Sequence, residues 1–415
     1  MAYIEKIMGR EILDSRGNPT VEACVRLNSG VTAKASVPSG SSTGSHEACE
    51  LRDNDKKRFN GKGVSKAVKN INNIISKELK GIDGSNQQRI DDMLIKLDNT
   101  SDKSHLGANA MLAVSIAICK SYAKEYNVPL YKYIGGINAH RLPLPMFNIL
   151  NGGAHADNLL DIQEFMIIPH SKKISTSVQI GCEIFNSLKT ILKEKGHSTA
   201  VGDEGGFAPK INDIYTALDL IVLSIEKAGY TLMKDVSIGL DIASSEFYNA
   251  KNKIYEFNGE KIKRDNENML SFYKEIIEKY PVTSIEDPFY EDDFETTAML
   301  TNSIGDKINI VGDDLFTTNY DRLNKGIKMG AGNAIIIKLN QIGTLSETLK
   351  TIELAKENSY TPIISHRSGE TTDTFIADLS VALNCKFIKS GSVSRGERVC
   401  KYNRLMEIEE EIFGQ

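Results

Sequence analysis

Apolar and polar residues alternate along this chain in two different rhythms, and the change falls near residue 140. The first segments, "YIEKIMGREIL", "TVEACVRL" and "VTAKASV", alternate at every second position, which predicts strands with one buried face. The last two flank Asn28-Ser29-Gly30, a turn signal, and so predict an antiparallel hairpin. Helical spacing follows in "VSKAVKNINNIISKELK", "QQRIDDMLIKL" and "NAMLAVSIAICKSYAKEY". Strands followed by helices predict a small α+β domain over residues 1–136, closing at Gly135-Gly136.

Beyond that point short apolar runs alternate with amphipathic helices, predicted at 174–195 and 213–228, the first stopped by Lys193, Lys195 and Gly196. Several runs end on a polar residue: "VSIGLD" at Asp241, "VTSIE" at Glu286, "INIVGD" at Asp313, "AIIIK" at Lys338, "TPIISH" at His366 and "KFIK" at Lys389. Their spacing, 23 to 45 residues, is what one strand, one helix and two loops occupy. Three isoleucines in a row read as a strand buried on both faces. The lysine that ends it therefore stands out, because lysine is seldom buried without a partner or a task. Thr344 and Glu347 form a capping box that starts the next helix. Repeated βα units with chemistry at the strand ends predict an α/β fold, a (β/α)8 TIM-type barrel over residues 137–415 with its site at the C-terminal face. A doubly wound sheet is the alternative; it would more often carry G-x-G-x-x-G, which this chain lacks.

Composition narrows the class. The 415 residues are 40% hydrophobic and 25% charged, as in soluble globular proteins. Net charge is −5 and the basic residues are dispersed, so there is no nucleic-acid footprint. "MAYIEKIMGRE" lacks the apolar core of a signal peptide, and "AMLAVSIAIC" is too short to span a bilayer. Six cysteines without a C-x-x-C pair predict free thiols in a reducing cytosol.

Asp241, Glu286 and Asp313 end neighbouring strands of the expected barrel. Each alone is more often a solvated loop acid; three in register need a cation, and hard oxygen donors suit Mg²⁺. Lys338 and Lys389 add two ammonium groups there. A lysine near a divalent cation and a second lysine loses its proton more easily and becomes a competent base. In "SHRSGE", His366, Arg367 and Ser368 offer a guanidinium fork and a hydroxyl, a good phosphate grip. In "VGDEGGFAP", Glu204 precedes two glycines that let backbone approach a ligand. "NGGAHADN" contributes His155, and "QEFM" Gln163 and Glu164. Two carboxyls as close as Glu204 and Glu164 would raise one pKa and keep a proton for general-acid work. "VPSGSSTGSHEA" (37–48) lacks the Gly-Lys-Ser/Thr ending of a P-loop; inside a domain, it predicts a mobile lid contributing a hydroxyl.

In order, "LDSRGNPTVE", "VPSGSSTGSHEA", "NGGAHADN", "QEFM", "GDEGGFAP", "SIEDP", "VGDDLF", "IKLNQIGT", "SHRSGETTDTFIADL" and "KYNRL" resemble the signatures of the enolase family, bacterial type, from Leu13 to Leu405. The resemblance implies a carbon–oxygen lyase that reversibly dehydrates 2-phosphoglycerate to phosphoenolpyruvate in glycolysis and gluconeogenesis, with two Mg²⁺ per active site. Carried over by motif, Lys338 is the base at C2 and Glu204 the acid at the 3-hydroxyl. Asp241, Glu286 and Asp313 hold the first Mg²⁺, and Ser42 reaches the second. Arg367 and Ser368 grip the phosphate; Lys389 and Gln163 contact the substrate; His155, Glu164 and His366 complete the pocket. A lysine or histidine base beside Mg²⁺ is the general pattern of enolase-superfamily sites and follows from the resemblance, not from spacing.

The resemblance also implies a homo-oligomer, a dimer or ring of dimers, with Arg10 and Glu22 as weak interface candidates. It implies a cytoplasmic location, with a cell-surface or secreted pool beside it, for which "FYNAKNKIYEF" is a weak binding segment. Ser41 stands where alanine is usual and Ser390 where threonine is common; neither removes a catalytic group. The rival readings are another α-proton-abstracting enzyme of the superfamily and a non-catalytic surface-binding or scaffold protein.

Overall fold

The computed structural model describes residues 2–41 and 44–414. Strands β1 (Ile4–Leu13), β2 (Pro19–Leu27) and β3 (Thr32–Ser36) form an antiparallel meander in that order. The predicted turn joins β2 to β3, with Gly30 at φ +93°, in the left-handed region that glycine adopts without strain. Arg10 and Glu22 are cross-strand neighbours on β1 and β2 and pair with each other, so each has a partner within its own chain.

One face of the meander, including Ala23, Val25, Ala33 and Ala35, is buried against the helix Ala108–Glu125. That helix is apolar almost all round, and it lies between the small sheet and the barrel turn Leu339–Ile342. A helix without a polar face has to be covered on all sides. The predicted helix from residue 64 forms as Ser65–Asn70 and Ser76–Leu79, with a π turn at Ile71–Ile75 between them.

Eight strands close a barrel. β4 (Leu144–Asn151), β5 (Glu164–Pro169) and β6 (Val236–Asp241) come first. A side sheet of β7 (Tyr248–Asn249), β8 (Ile254–Phe257) and β9 (Ile262–Arg264) follows β6. β10 (Val282–Glu286), β11 (Asn309–Gly312), β12 (Ala334–Ile337), β13 (Thr361–Ser365) and β14 (Phe387–Lys389) complete the ring, which closes through β14–β4 and β6–β10. The side sheet contains "FYNAKNKIYEF", whose Tyr255 and Phe257 are buried; its aromatic residues serve the core, leaving Lys251 to Lys253 exposed.

The barrel departs from eight identical βα units at one strand. β5 is antiparallel to both β4 and β6, whereas the remaining neighbours are parallel. The connection from Asn151 to Glu164 contains only the 3-10 turn Gly153–His155, with no crossover helix to bring the chain round for a parallel strand. Both predicted helices, Ile174–Glu194 and Ile214–Lys227, then fall between β5 and β6.

Met146, Met166, Ile168, Val311, Ala334, Ile336, Ile363 and Phe387 form one cluster inside the barrel. The alternate residues Phe147, Phe165, Ile167, Ile335, Ile337 and Ile364 belong to the larger cluster that includes the surrounding helices. Side chains two apart on a strand share a face, so the inner set defines which later residues point into the mouth.

Candidate active site

That alternation aims the strand-end residues. On β12 the inner residues Ala334 and Ile336 are followed, two further on, by Lys338. By the same step Phe387 leads to Lys389, Val311 to Asp313 and Ile363 to Ser365. On β5 the step runs backwards from Met166 to Glu164, because the reversed strand puts its first residue at the mouth. Register pairs Glu164 with Asp241 and Asp241 with Glu286, setting three carboxyls side by side across β5, β6 and β10.

Lys389 stands among those acids. Its Nζ lies 3.0 Å from Asp241 Oδ2, 2.9 Å from Glu286 Oε2 and 3.2 Å from Glu164 Oε1, and its side chain is buried. Burial disfavours the ammonium, but Asp241, Glu164 and Glu286 outweigh it and hold Lys389 well above the lysine range. The acids meet the opposite balance. Burial first, then neighbouring Asp241, pushes Glu286 well above the carboxylate range. Gln163 Nε2 donates to Asp241 Oδ2 at 3.2 Å.

Lys338 pairs directly with Asp313, whose other oxygen accepts from Gln341 Nε2 at 3.0 Å. The neutral lysine expected from the sequence belongs to a site that holds a divalent cation; in the arrangement seen here Asp313 is the direct partner of Lys338. Burial works against its ammonium, yet the carboxylate in contact outweighs burial and the more distant Arg367 and Lys389, and the pKa rises.

Arg367 is gripped by Glu47, a residue sequence reasoning passed over. Nη1 lies 2.9 Å from Glu47 Oε2 and Nη2 3.1 Å from Oε1. Nearby, Ser41 N–H donates to Ser368 Oγ at 2.8 Å, and Ser39 bridges Gly369 through both backbone groups. Ser45 donates to Glu291 through its N–H and hydroxyl. The segment expected to be a lid thus rests on the mouth through several bonds. Ser42 lies outside the described residues.

Glu164 and Glu204 approach across His155, whose Nδ1 is 3.6 Å from one and 3.5 Å from the other. Burial and the neighbouring Glu204 push Glu164 well above the carboxylate range. Burial opposes the charge on Glu204 too, but the facing His155, His366 and Arg398 hold it well below that range. Asn148 Nδ2 donates to Glu204 at 3.0 Å. The glycines after Glu204 face the chain itself: a Cβ on Gly205, at φ +88°, would sit 2.6 Å from Ser394 O.

Arg398, fully buried, fixes His366. Its Nη1 donates to His366 Nδ1 and to Arg367 O, both at 2.6 Å. Its Nη2 donates to Ser368 O at 2.6 Å and Asp203 O at 3.0 Å. A guanidinium only donates, so Nδ1 accepts and the imidazole proton sits on Nε2, 3.5 Å from Glu204 Oε2. Burial, reinforced by Arg398 against the pull of Glu204, holds His366 well below its usual range.

His155, Gln163, Glu164, Glu204, Lys338, His366, Arg367, Ser368 and Lys389 line one polar cavity of about 20 Å³ together with Ser365. The expected metal trio behaves differently: Asp241 and Glu286 gather round Lys389, and Asp313 turns to Lys338. Among the described residues, ligand atoms come within 4.8 Å of one another in two other groups that could hold a metal ion, His155 with Glu164 and Glu204, and Asp287 with Asp313 and Asp314. A roomier hollow of about 440 Å³, lined by His170, Ser237, Thr283 and Lys386, opens at the opposite end of the barrel, away from these charged groups. No helix of the described residues is long and apolar enough to cross a membrane.

The sequence matches two family descriptions in succession. Residues 4–134 match "Enolase, N-terminal domain", and residues 139–415 match "Enolase, C-terminal TIM barrel domain". With both matches in chain order, and with the closed barrel carrying its charged residues at one mouth, the chain belongs to the enolase family.

Proposed function

We propose that the protein is a Mg²⁺-dependent phosphopyruvate hydratase that interconverts 2-phosphoglycerate and phosphoenolpyruvate. The observation that carries this reading is the polar cavity in which two lysines, two glutamates, two histidines and an arginine–serine pair meet. The division into a domain over 1–136 and a catalytic barrel over 137–415 belongs to the same proposal.

The donor set fits a hard divalent cation. Asp241, Glu286 and Asp313 end adjacent strands with oxygen ligands, and the unmet cost of burying Glu286 as an anion is what such an ion offsets. Those three would hold one Mg²⁺, and Ser42 is assigned to a second. When bound, Mg²⁺ supplies electrostatic stabilisation of the negative charge that builds on the substrate carboxylate.

The protein's own groups divide the proton transfers. Lys338 removes the C2 proton. With Asp313 engaged as a ligand, its ammonium loses its closest anion and faces Arg367 and Lys389, which both lower its pKa. Lys389 keeps a positive charge beside the carboxylate end of the substrate. Glu204 protonates the departing 3-hydroxyl, drawing on the proton that burial keeps on neighbouring Glu164. His366 presents a fixed Nε2–H; Gln163 and His155 orient the substrate; Arg367 and Ser368 take the phosphate. An ultraviolet absorbance assay for phosphoenolpyruvate tests the reading: product should form from 2-phosphoglycerate with Mg²⁺ and not after chelation. Absence of turnover by folded protein at saturating Mg²⁺ would overturn it.

A further inference from the structure

Arg367 already holds an anion that the chain itself supplies. The two nitrogens of its fork meet the two oxygens of Glu47 at 2.9 and 3.1 Å, the parallel geometry by which arginine takes a carboxylate or phosphate. Both side chains are nearly closed off, at 3% and 9% exposure. Glu47 Oε1 is also fixed from its own side, accepting from Gly44 N–H at 3.1 Å and Gln341 Nε2 at 3.4 Å. The cavity beside this pair, about 20 Å³, has room for little more than one water molecule. A phosphorylated three-carbon acid does not fit a space of that size, and Arg367, which lines it, is held by Glu47.

We infer that Glu47 is an internal competitor for the anion site: its carboxylate takes the place on Arg367 that an incoming phosphate needs, and binding exchanges one for the other. The inference rests on reading Arg367 as the phosphate grip. Its physical content is an affinity penalty. An incoming anion does not meet a bare guanidinium; it replaces a charge-assisted pair, so apparent affinity falls by the fraction of time Glu47 is away. The exchange also signals outward. Glu47 anchors the turn at Gly44, and Ser45 next to that turn donates to Glu291, so loss of the Arg367 contact loosens the segment covering the mouth.

Titration of the full chain with inorganic phosphate, followed by calorimetry, tests this. Glu47→Gln should bind phosphate about tenfold tighter, the factor expected if the native chain leaves Arg367 open about one tenth of the time. Glu47→Asp, which keeps the charge but is too short for both nitrogens, should tighten binding less, and serves if the glutamine variant fails to fold. Arg367→Gln should lose phosphate binding, and adding Glu47→Gln to it should restore nothing. Phosphate should speed backbone hydrogen exchange over residues 44–47 in the native chain and leave it unchanged in Glu47→Gln. Equal or weaker binding by the Glu47 variants, with binding still lost in Arg367→Gln, overturns the competition and leaves the phosphate grip standing. Phosphate binding that survives Arg367→Gln removes both.

Discussion

Lys338 and Lys389 point into the mouth for the reason that Ile336 and Phe387 fill the barrel: they share a strand face at a spacing of two. Their charge survives because carboxylates stand at the same level on other strands. Arg398 shows what such a buried charge demands, with four acceptors met by its two terminal nitrogens. Arg398→Lys should therefore cost about 2–4 kcal/mol in urea unfolding, since one ammonium cannot replace a planar fork and several buried acceptors lose their donors. A change below about 1 kcal/mol would mean the fork is not needed. Lys338, Lys389, Asp241, Glu286 and Asp313 were legible in sequence because each closes a short strand-like run, and Glu164 and Glu204 because each sits in a recognisable motif. Arg398 was hidden in a charged stretch of the last helix, and Glu47 contacts a residue 320 positions away, a relation no local pattern carries. The direct pairing of Lys338 with Asp313 was not legible either, because spacing does not reveal which strand-end groups touch.

Among elements, the antiparallel β5 is the clearest loss in reading the sequence. "EFMIIP" is buried along its whole length, and an apolar run looks the same in either direction. The other strand–helix units were readable because run lengths, caps and spacing agreed; Thr344 caps its helix as expected, accepting from Glu347 N–H. Elements of the small sheet and the barrel meet at Asp373. Its carboxylate accepts from Ser36 N–H at 3.0 Å and Phe375 N–H at 2.9 Å, and pairs with Lys120 at 2.5 Å. Burial works against this charge, but Lys120 outweighs it and lowers the pKa below the ordinary 3.8. A carboxylate depressed by folding adds stability above its unfolded pKa and loses it as pH falls through the folded value. Asp373→Asn should thus cost about 1.5–3 kcal/mol near neutral pH, and the gap should close in acid. Urea midpoints across pH check this, and a gap of constant size would contradict it.

For the whole molecule, the mouth collects more carboxyl groups than its two lysines neutralise, and on the proposed function that surplus is met by a cation. Mg²⁺ should raise the melting temperature, with a stabilisation of about 2.7 kcal/mol at a hundredfold excess over Kd. Asp313→Ala should lose most of that gain, and an undiminished shift would remove Asp313 from the ligand set. The central claim is that Lys338 on β12 takes the C2 proton while Glu204, beside β4 and β5, serves the leaving hydroxyl. The most direct test follows exchange of the C2 hydrogen of 2-phosphoglycerate with deuterated water by NMR, at saturating Mg²⁺, in folded Lys338→Ala and Glu204→Gln. Lys338→Ala should stop both exchange and product formation. Glu204→Gln should continue to exchange while product formation falls by about 10²–10⁴, the usual worth of general acid catalysis. Continued exchange in Lys338→Ala together with its loss in Glu204→Gln would contradict the assignment.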